Sequence, residues 1–369
     1  MAPKLLYLSA LALLAGPVFS QQIIVPPHSY PGETTNTQWI SGPDDFDAPK
    51  NRPINQTTFD WWYFDAVQEP NERGEQASFA ITFHTSGPHG FDTLQDLFPL
   101  GSPSDNLIQI NLAWPNGDLD FWILAAGEAV FTINGNSASA VFAGTGCSFE
   151  GVPDLSHYSV HIDAPDKGIV GSLDIKSDVP AHYPCGPAEE GQDMHVVPGV
   201  GWLNAIPDGL GEADFQIRGK EFKFQGRGYH DHNYGSRPFS ESAASAYWGH
   251  GRLGEYAIVW LSVLTPTGSE HVSAYVTKNS EIIVAHCEGI KIRPYGDNST
   301  YPPTRKTGAP TGFRIEITIP EGQLELAAEY IYIQVGFDFY RRFTGTFTGT
   351  LNGEPLPDGV ALWEQFSLN

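Results

Sequence analysis

Basic residues are scarce in this chain of 369 residues: 20 Lys and Arg stand against 43 Asp and Glu, for a formal net charge of -23. A surface of that sign repels nucleic acid and anionic lipid, so neither is expected as a partner. Cysteine is scarcer still, with Cys147, Cys185 and Cys287 alone. Three cysteines permit one disulfide and leave one thiol; the three pairings stay open, and the spacing matches no zinc motif. Long hydrophobic runs are missing beyond the first twenty residues, so no transmembrane helix is expected in the mature chain. Windows with helical periodicity are hard to find. Signatures of several enzyme classes are missing as well: G-x-S-x-G, the P-loop, G-x-G-x-x-G opening a helix, and H-E-x-x-H. Their absence argues against a serine hydrolase of that type, an ATPase, a Rossmann oxidoreductase and a zincin.

Residues 1–20 carry one lysine, an apolar run and small residues before a cleavage point, the pattern of a secretory signal peptide; the mature chain should begin near Gln21. Sequons at Asn55 and Asn298 fit that route, which predicts a secreted or lumenal glycoprotein. Glycine, proline and aromatic residues are abundant, and short alternating runs recur, among them "SFAITFHT", "LIQINLAW", "YAIVWLSVL" and "FRIEITI". Apolar and polar residues alternate in most of them, as in half-buried antiparallel strands. An all-β protein of two barrels or sandwiches is expected, divided near Leu210: residues 21–210 form the first domain and 211–369 the second. The Pro- and Gly-rich stretch from Pro180 to Gly211 reads as the connection.

Two motifs concentrate chemistry. In "FDWWYFDA", alternation puts Phe59, Trp61, Tyr63 and Asp65 on one face and Asp60, Trp62 and Phe64 on the other. Both faces carry aromatics and an acid, which suits either a doubly buried strand or the aromatic wall of a ligand pocket. In "GRGYHDHNYG", Tyr229, Asp231 and Asn233 share one face, and His230, His232 and Tyr234 the other. An H-x-H pair can chelate a metal, but no third ligand or supporting shell is identifiable, so no metal and no cofactor is assigned. A hydrogen-bond network or a proton-handling site fits better. His84, Tyr247, Trp248 and His250 are weaker cavity candidates.

"DWWYFD" and "GYHDHNYG", in that order and spacing, resemble the paired signatures of the hydroxyneurosporene synthase or carotenoid hydratase-like family, across most of the mature chain. The resemblance implies two lipocalin-like β-barrels packed side by side, with both motifs near their junction. The family has a bacterial branch that hydrates terminal alkenes and a fungal branch of cofactor-free Diels–Alderases. The signal peptide and sequons resemble the fungal branch, and the intact "DWWYFD" resembles enzymes joining a tropolone quinone methide to a humulene-type sesquiterpene. The implied activity is a cofactor-free pericyclase acting on a small apolar polyene, terpenoid or quinone methide. Alternatives are a hydratase or cyclase that protonates an alkene, and a carrier without catalysis. In the leading reading His230 or His232 donates a hydrogen bond to substrate, and Asp60 and Asp231 orient those donors. Trp61, Trp62 and Tyr63 shape the pocket with Tyr229, Asn233, Tyr247, Trp248 and His84.

Overall fold

The computed structural model describes residues 21–93 and 102–368, so the expected signal peptide lies outside the described residues. Helix among them amounts to a four-residue turn, Phe239–Ser242, a 3-10 turn, Pro165–Lys167, and 3-10 residues at Asp92 and Thr93. The rest is antiparallel β-structure in two large curled sheets, one of 15 strands and one of 10, with a two-stranded ribbon beside them. None of the described helices is long and apolar enough to cross a membrane. The expected all-β, double-barrel architecture is what the chain forms.

Three apolar cores account for the arrangement. One fills the first sheet, around Trp62, Phe64, Phe149 and Tyr158. Another fills the second sheet, around Tyr247, Trp260, Phe343 and Trp363. The third lies between the sheets and joins Tyr63, Tyr229, Trp248, Leu261 and Tyr340. Strands at the junction are therefore covered on both faces, and Phe59–Val67, Ser78–Ser86 and Asn106–Ala113 are buried almost throughout.

The expected division near Leu210 falls inside an 18-residue strand, Val200–Ile217, that pairs on both sides within the first sheet. The chain passes from one sheet to the other between Gly235 and Ser245. "IPDG" at 206–209 looks like a turn, yet it occupies register shifts in the pairing of Val200–Ile217 with Lys220–Gly235. A bulge tolerates proline because no ladder hydrogen bond is required of it there. Asp208, 1% exposed, uses the bulge to grip Arg227 (Nε to Oδ1, 2.9 Å) and Arg252 of the second sheet (2.7 Å).

A disulfide joins Cys185 to Cys287 across a sequence separation of 102, linking the first-sheet region to the second. Cys147 is a buried free thiol whose pKa burial pushes up to about 12, so it is inert as a nucleophile. Replacing Cys185 and Cys287 together by serine should lower the unfolding free energy by roughly 2–5 kcal/mol, read by urea denaturation, because a long closed loop restricts the unfolded chain.

Candidate active site

The motif strands Phe59–Val67 and Lys220–Gly235 pair with Tyr229 opposite Asp65, Asp231 opposite Tyr63 and Asn233 opposite Trp61. Ser78–Ser86 continues the row, with His84 opposite Trp61 and Thr82 opposite Tyr63. Two glycines make the close approach possible. A Cβ on Gly226 would stand 2.1 Å from the Val67 carbonyl oxygen, and one on Gly235 would stand 2.3 Å from the Phe59 ring.

One face of this row opens into a cavity between the sheets. Trp61, Tyr63, Thr82, His84, Gln109, Asp231 and Asn233 line it from the first sheet. Trp248, Leu261, Tyr340, Arg342, Glu364 and Phe366 line it from the second. Phe91 and Phe239 close the aromatic wall, with Trp61 centred 4.6 Å from Phe91 and 5.8 Å from Phe239. The walls are mostly apolar with few convergent polar groups, the usual make-up of a small-molecule site.

Asp231 is the most unusual of those groups. Trp202 Nε1 donates to its Oδ2 (2.7 Å), Asn233 Nδ2 donates to its Oδ1 (2.9 Å), and the Tyr229 hydroxyl lies 2.9 Å from Oδ2. Burial raises its pKa to about 7, against the opposing pull of the Trp202 and Tyr229 hydrogen bonds. A carboxyl group that keeps its proton near neutrality and faces an apolar cavity is suited to general acid work. Beside it, Tyr63 donates to Asp65 Oδ2 (2.7 Å), which also lies 2.9 Å from His250 Nε2, and His250 stacks on Tyr229 with centroids 4.4 Å apart.

The opposite face carries the histidines of the second motif. His230 and His232 lie in the interior of the first sheet, away from the cavity, with Asp60 and Trp62. His230 Nε2 is 3.2 Å from Asp47 Oδ2, and its ring stacks on Phe64 at 3.9 Å. His232 Nε2 is 2.9 Å from Asp60 Oδ1, and its ring stacks on Trp62 at 4.2 Å. Asp60 also accepts from the backbone N–H groups of Lys50 (2.8 Å) and Asn51 (3.1 Å). Trp62 Nε1 donates to the Asp47 carbonyl (3.0 Å) and the Tyr158 hydroxyl to Asp47 Oδ2 (2.8 Å). These groups clamp the segment 45–52 onto the first sheet. The expectation that His230 and His232 donate to substrate is therefore corrected: strand alternation turns them inward when Asp231 faces the cavity. Tyr247 likewise belongs to the second-sheet core. Tyr229 packs directly behind the cavity wall, its centroid 5.2 Å from that of Trp248.

Arg342 and Glu364 were not signalled by the sequence. "YRR" looks like an exposed strand end, and the strand Gly359–Ser367 that carries Glu364 has no distinguishing motif. No group of three or more His, Cys, Asp or Glu among the described residues is arranged to hold a metal ion.

A double-barrelled β-protein with a buried acid in an inter-barrel cavity defines a class of small-molecule enzyme. Residues 28–293 match the family model described as Diels-Alderase-like, and the chain belongs to that family. It is 35% identical to the quinolone epoxide rearrangement protein asqO of Emericella nidulans over 90% of each chain. It is 25% identical to the Diels-Alderase poxQ of Penicillium oxalicum over 74% of this chain and 60% of that one. Among solved structures, CghA with Sch210972 superposes with a TM-score of 0.76 at 19% identity, covering 94% of this chain and 99% of that one. Kievitone hydratase from Nectria haematococca gives 0.56 at 15% identity, covering 93% and 98%. The chain is thus an enzyme of cyclase or isomerase type, and the resemblance read from "DWWYFD" and "GYHDHNYG" is borne out.

Proposed function

We propose that the chain catalyses a cofactor-free, acid-assisted ring rearrangement of an epoxide-bearing aromatic small molecule, of the quinolone type named for its relative asqO. The observation that carries this reading is the Asp231 carboxyl, protonated near neutrality and aimed into an aromatic-walled cavity. The Asp231 proton passes to the epoxide oxygen as the C–O bond at the more substituted carbon breaks. Positive charge develops on that carbon, and the faces of Trp61, Phe91 and Phe239 stabilise it. An internal nucleophile or a 1,2-shift then closes or reshapes the ring, and the released proton returns to the carboxylate. The product is an isomer of the substrate.

A second reading, a Diels–Alder or hetero-Diels–Alder reaction in the same cavity, is supported by the family and by poxQ. There the walls hold the partners in a reactive conformer, for which pre-organisation supplies up to ~7–11 kcal/mol. A tropolone quinone methide with a humulene-type alkene is one such pair. Entry into the secretory pathway, with glycans on Asn55 and exposed Asn298, is part of the proposal; the inter-sheet disulfide is compatible with it.

The test incubates the purified, metal-stripped protein in oxygen-18 water with a quinolone carrying an alkenyl epoxide. A parallel incubation supplies the quinone methide precursor and humulene. Rearrangement should give one stereoisomer of unchanged mass without solvent oxygen. A labelled diol or alcohol would instead indicate hydration, and turnover confined to the second mixture would select the cycloaddition.

A further inference from the structure

The polar groups at the other side of the cavity differ in kind from Asp231. His84 is 4% exposed and lines the cavity, and neither of its ring nitrogens has a hydrogen-bond partner in the protein. Burial, reinforced by the positive charge of Arg342, pulls its pKa down to about 3. The ring is therefore neutral across the physiological range and offers one N–H donor and one bare acceptor nitrogen. Leaving a buried polar group unpaired is costly, and native structures reserve few groups for that state.

Arg342 reaches the same cavity from the second sheet and is 2% exposed. Its Nε donates to Glu364 Oε1 (2.8 Å), to which the Tyr340 hydroxyl also donates (2.5 Å). Its guanidinium carbon lies 4.8 Å from the Tyr63 ring centroid. The contacts from its Nη1 to Asn111 Oδ1 and Gln334 Oε1 are long, at 3.3 and 3.4 Å, so its donor capacity is not exhausted.

We propose that His84 and Arg342 form a recognition end for the neutral carbonyl head group of the substrate, a lactam, amide or ketone, while the reacting oxygen sits at Asp231. The inference rests on the reading of this cavity as the reaction site. Its chemistry follows from charge. Glu364 already neutralises Arg342, and His84 cannot readily gain a proton, so a carboxylate bound here would bring an uncompensated charge among apolar walls. A carbonyl oxygen can accept from Arg342 or from the His84 N–H, and a lactam N–H can donate to the bare nitrogen. Geometry sets the length. Asp231 and His84 are two strand spacings apart across the sheet and two residues apart along it, a Cα separation of roughly 12 Å. The two ends would then hold a fused bicyclic head and its side chain in one orientation.

Calorimetric titration of the full chain with 2-quinolone, naphthalene and 2-naphthoate at pH 7.5 tests this apart from turnover. Wild type should bind 2-quinolone at least about tenfold more tightly than naphthalene, and 2-naphthoate no more tightly than naphthalene. His84→Phe should erase the preference for 2-quinolone without lowering Tm, because the lost nitrogens bond nothing within the protein. His84→Gln, which restores a donor and an acceptor, should recover part of the preference. An unchanged preference in His84→Phe, tightest binding of 2-naphthoate, or no binding of 2-quinolone by wild type would each overturn the proposal. Kinetics of Asp231→Asn bear on the reaction reading alone, so the two can fail separately.

Discussion

Asparagine at Asp231 is expected to lower kcat for the ring-forming reaction by about 10²- to 10⁴-fold, the range spanned by removal of a positioned general acid. Asparagine matches the carboxyl in shape and can still accept from Trp202 Nε1, so the cavity should keep its form and substrate binding should change far less than kcat. What disappears is the proton. Because the Asp231 pKa is raised to about 7, wild-type activity should fall as pH rises through that value. The falling limb should be missing from the residual activity of Asp231→Asn. Stability supplies an independent check with a definite sign. The folded pKa lies above the ordinary 3.8, so the folded state holds the extra proton between those values. The contribution of the protonated form is complete below about pH 4 and is lost as pH rises toward and through 7. Above pH 7 the wild type buries a carboxylate and the variant does not, so Asp231→Asn should be the more stable of the two in urea. A variant that keeps wild-type kcat would remove Asp231 from the chemistry and leave the cavity to a conformational mechanism.

Alternation carried much of what could be read without coordinates. The split of "DWWYFD" into Trp61 and Tyr63 against Asp60 and Trp62 is the split the strand makes, and so is the split of "GYHDHNYG" into Asp231 and Asn233 against His230 and His232. Period two determines that two faces exist; it does not determine which faces the ligand. Both faces here are buried, so burial could not break the tie either, and the inward histidines attract the role that the proposed function gives to the outward acid. The boundary near Leu210 was misplaced for a different reason. Pro207 and Gly209 are turn residues by composition, yet they sit in a bulge of a continuing strand, where Asp208 grips Arg227 and Arg252. Arg342 and Glu364 lie 22 residues apart on two adjacent strands, where Arg342 pairs in register with Glu364. A buried ion pair of that kind is visible in sequence only if the register between the strands is known.

The inward face of both motifs has its own large expected effect. Alanine at Asp60 should cost roughly 3–5 kcal/mol of stability, the range for breaking a buried charged pair by deleting one partner. Asp60 is fully buried and accepts from His232 Nε2, the backbone N–H groups of Lys50 and Asn51, and Asn51 Nδ2 (2.8 Å). Its removal takes the acceptor from His232 Nε2 and from the two backbone N–H groups, while Asn51 Nδ2 keeps the carbonyls of Phe59 (2.8 Å) and Gly235 (3.2 Å). Burial already lowers the pKa of His232 and brings that of Lys50 down to about 8, and the Asp60 charge opposes both shifts, so its loss would leave the buried Lys50 ammonium less well compensated. The segment 45–52 would lose its anchor, and Asp47 with it, although Asp47 receives the Tyr158 hydroxyl and the Trp62 indole contacts its carbonyl. Asp60→Asn, which keeps one acceptor oxygen, should fall between wild type and alanine. Urea denaturation reads the loss, and kcat per folded molecule, measured where Asp60→Ala remains folded, separates the two faces of the sheet. A clamp predicts a large fall in unfolding free energy with kcat within severalfold of wild type. A catalytic Asp60 and His232 predict the reverse, a stable protein with kcat reduced as far as in Asp231→Asn, and that outcome would return the chemistry to the histidines.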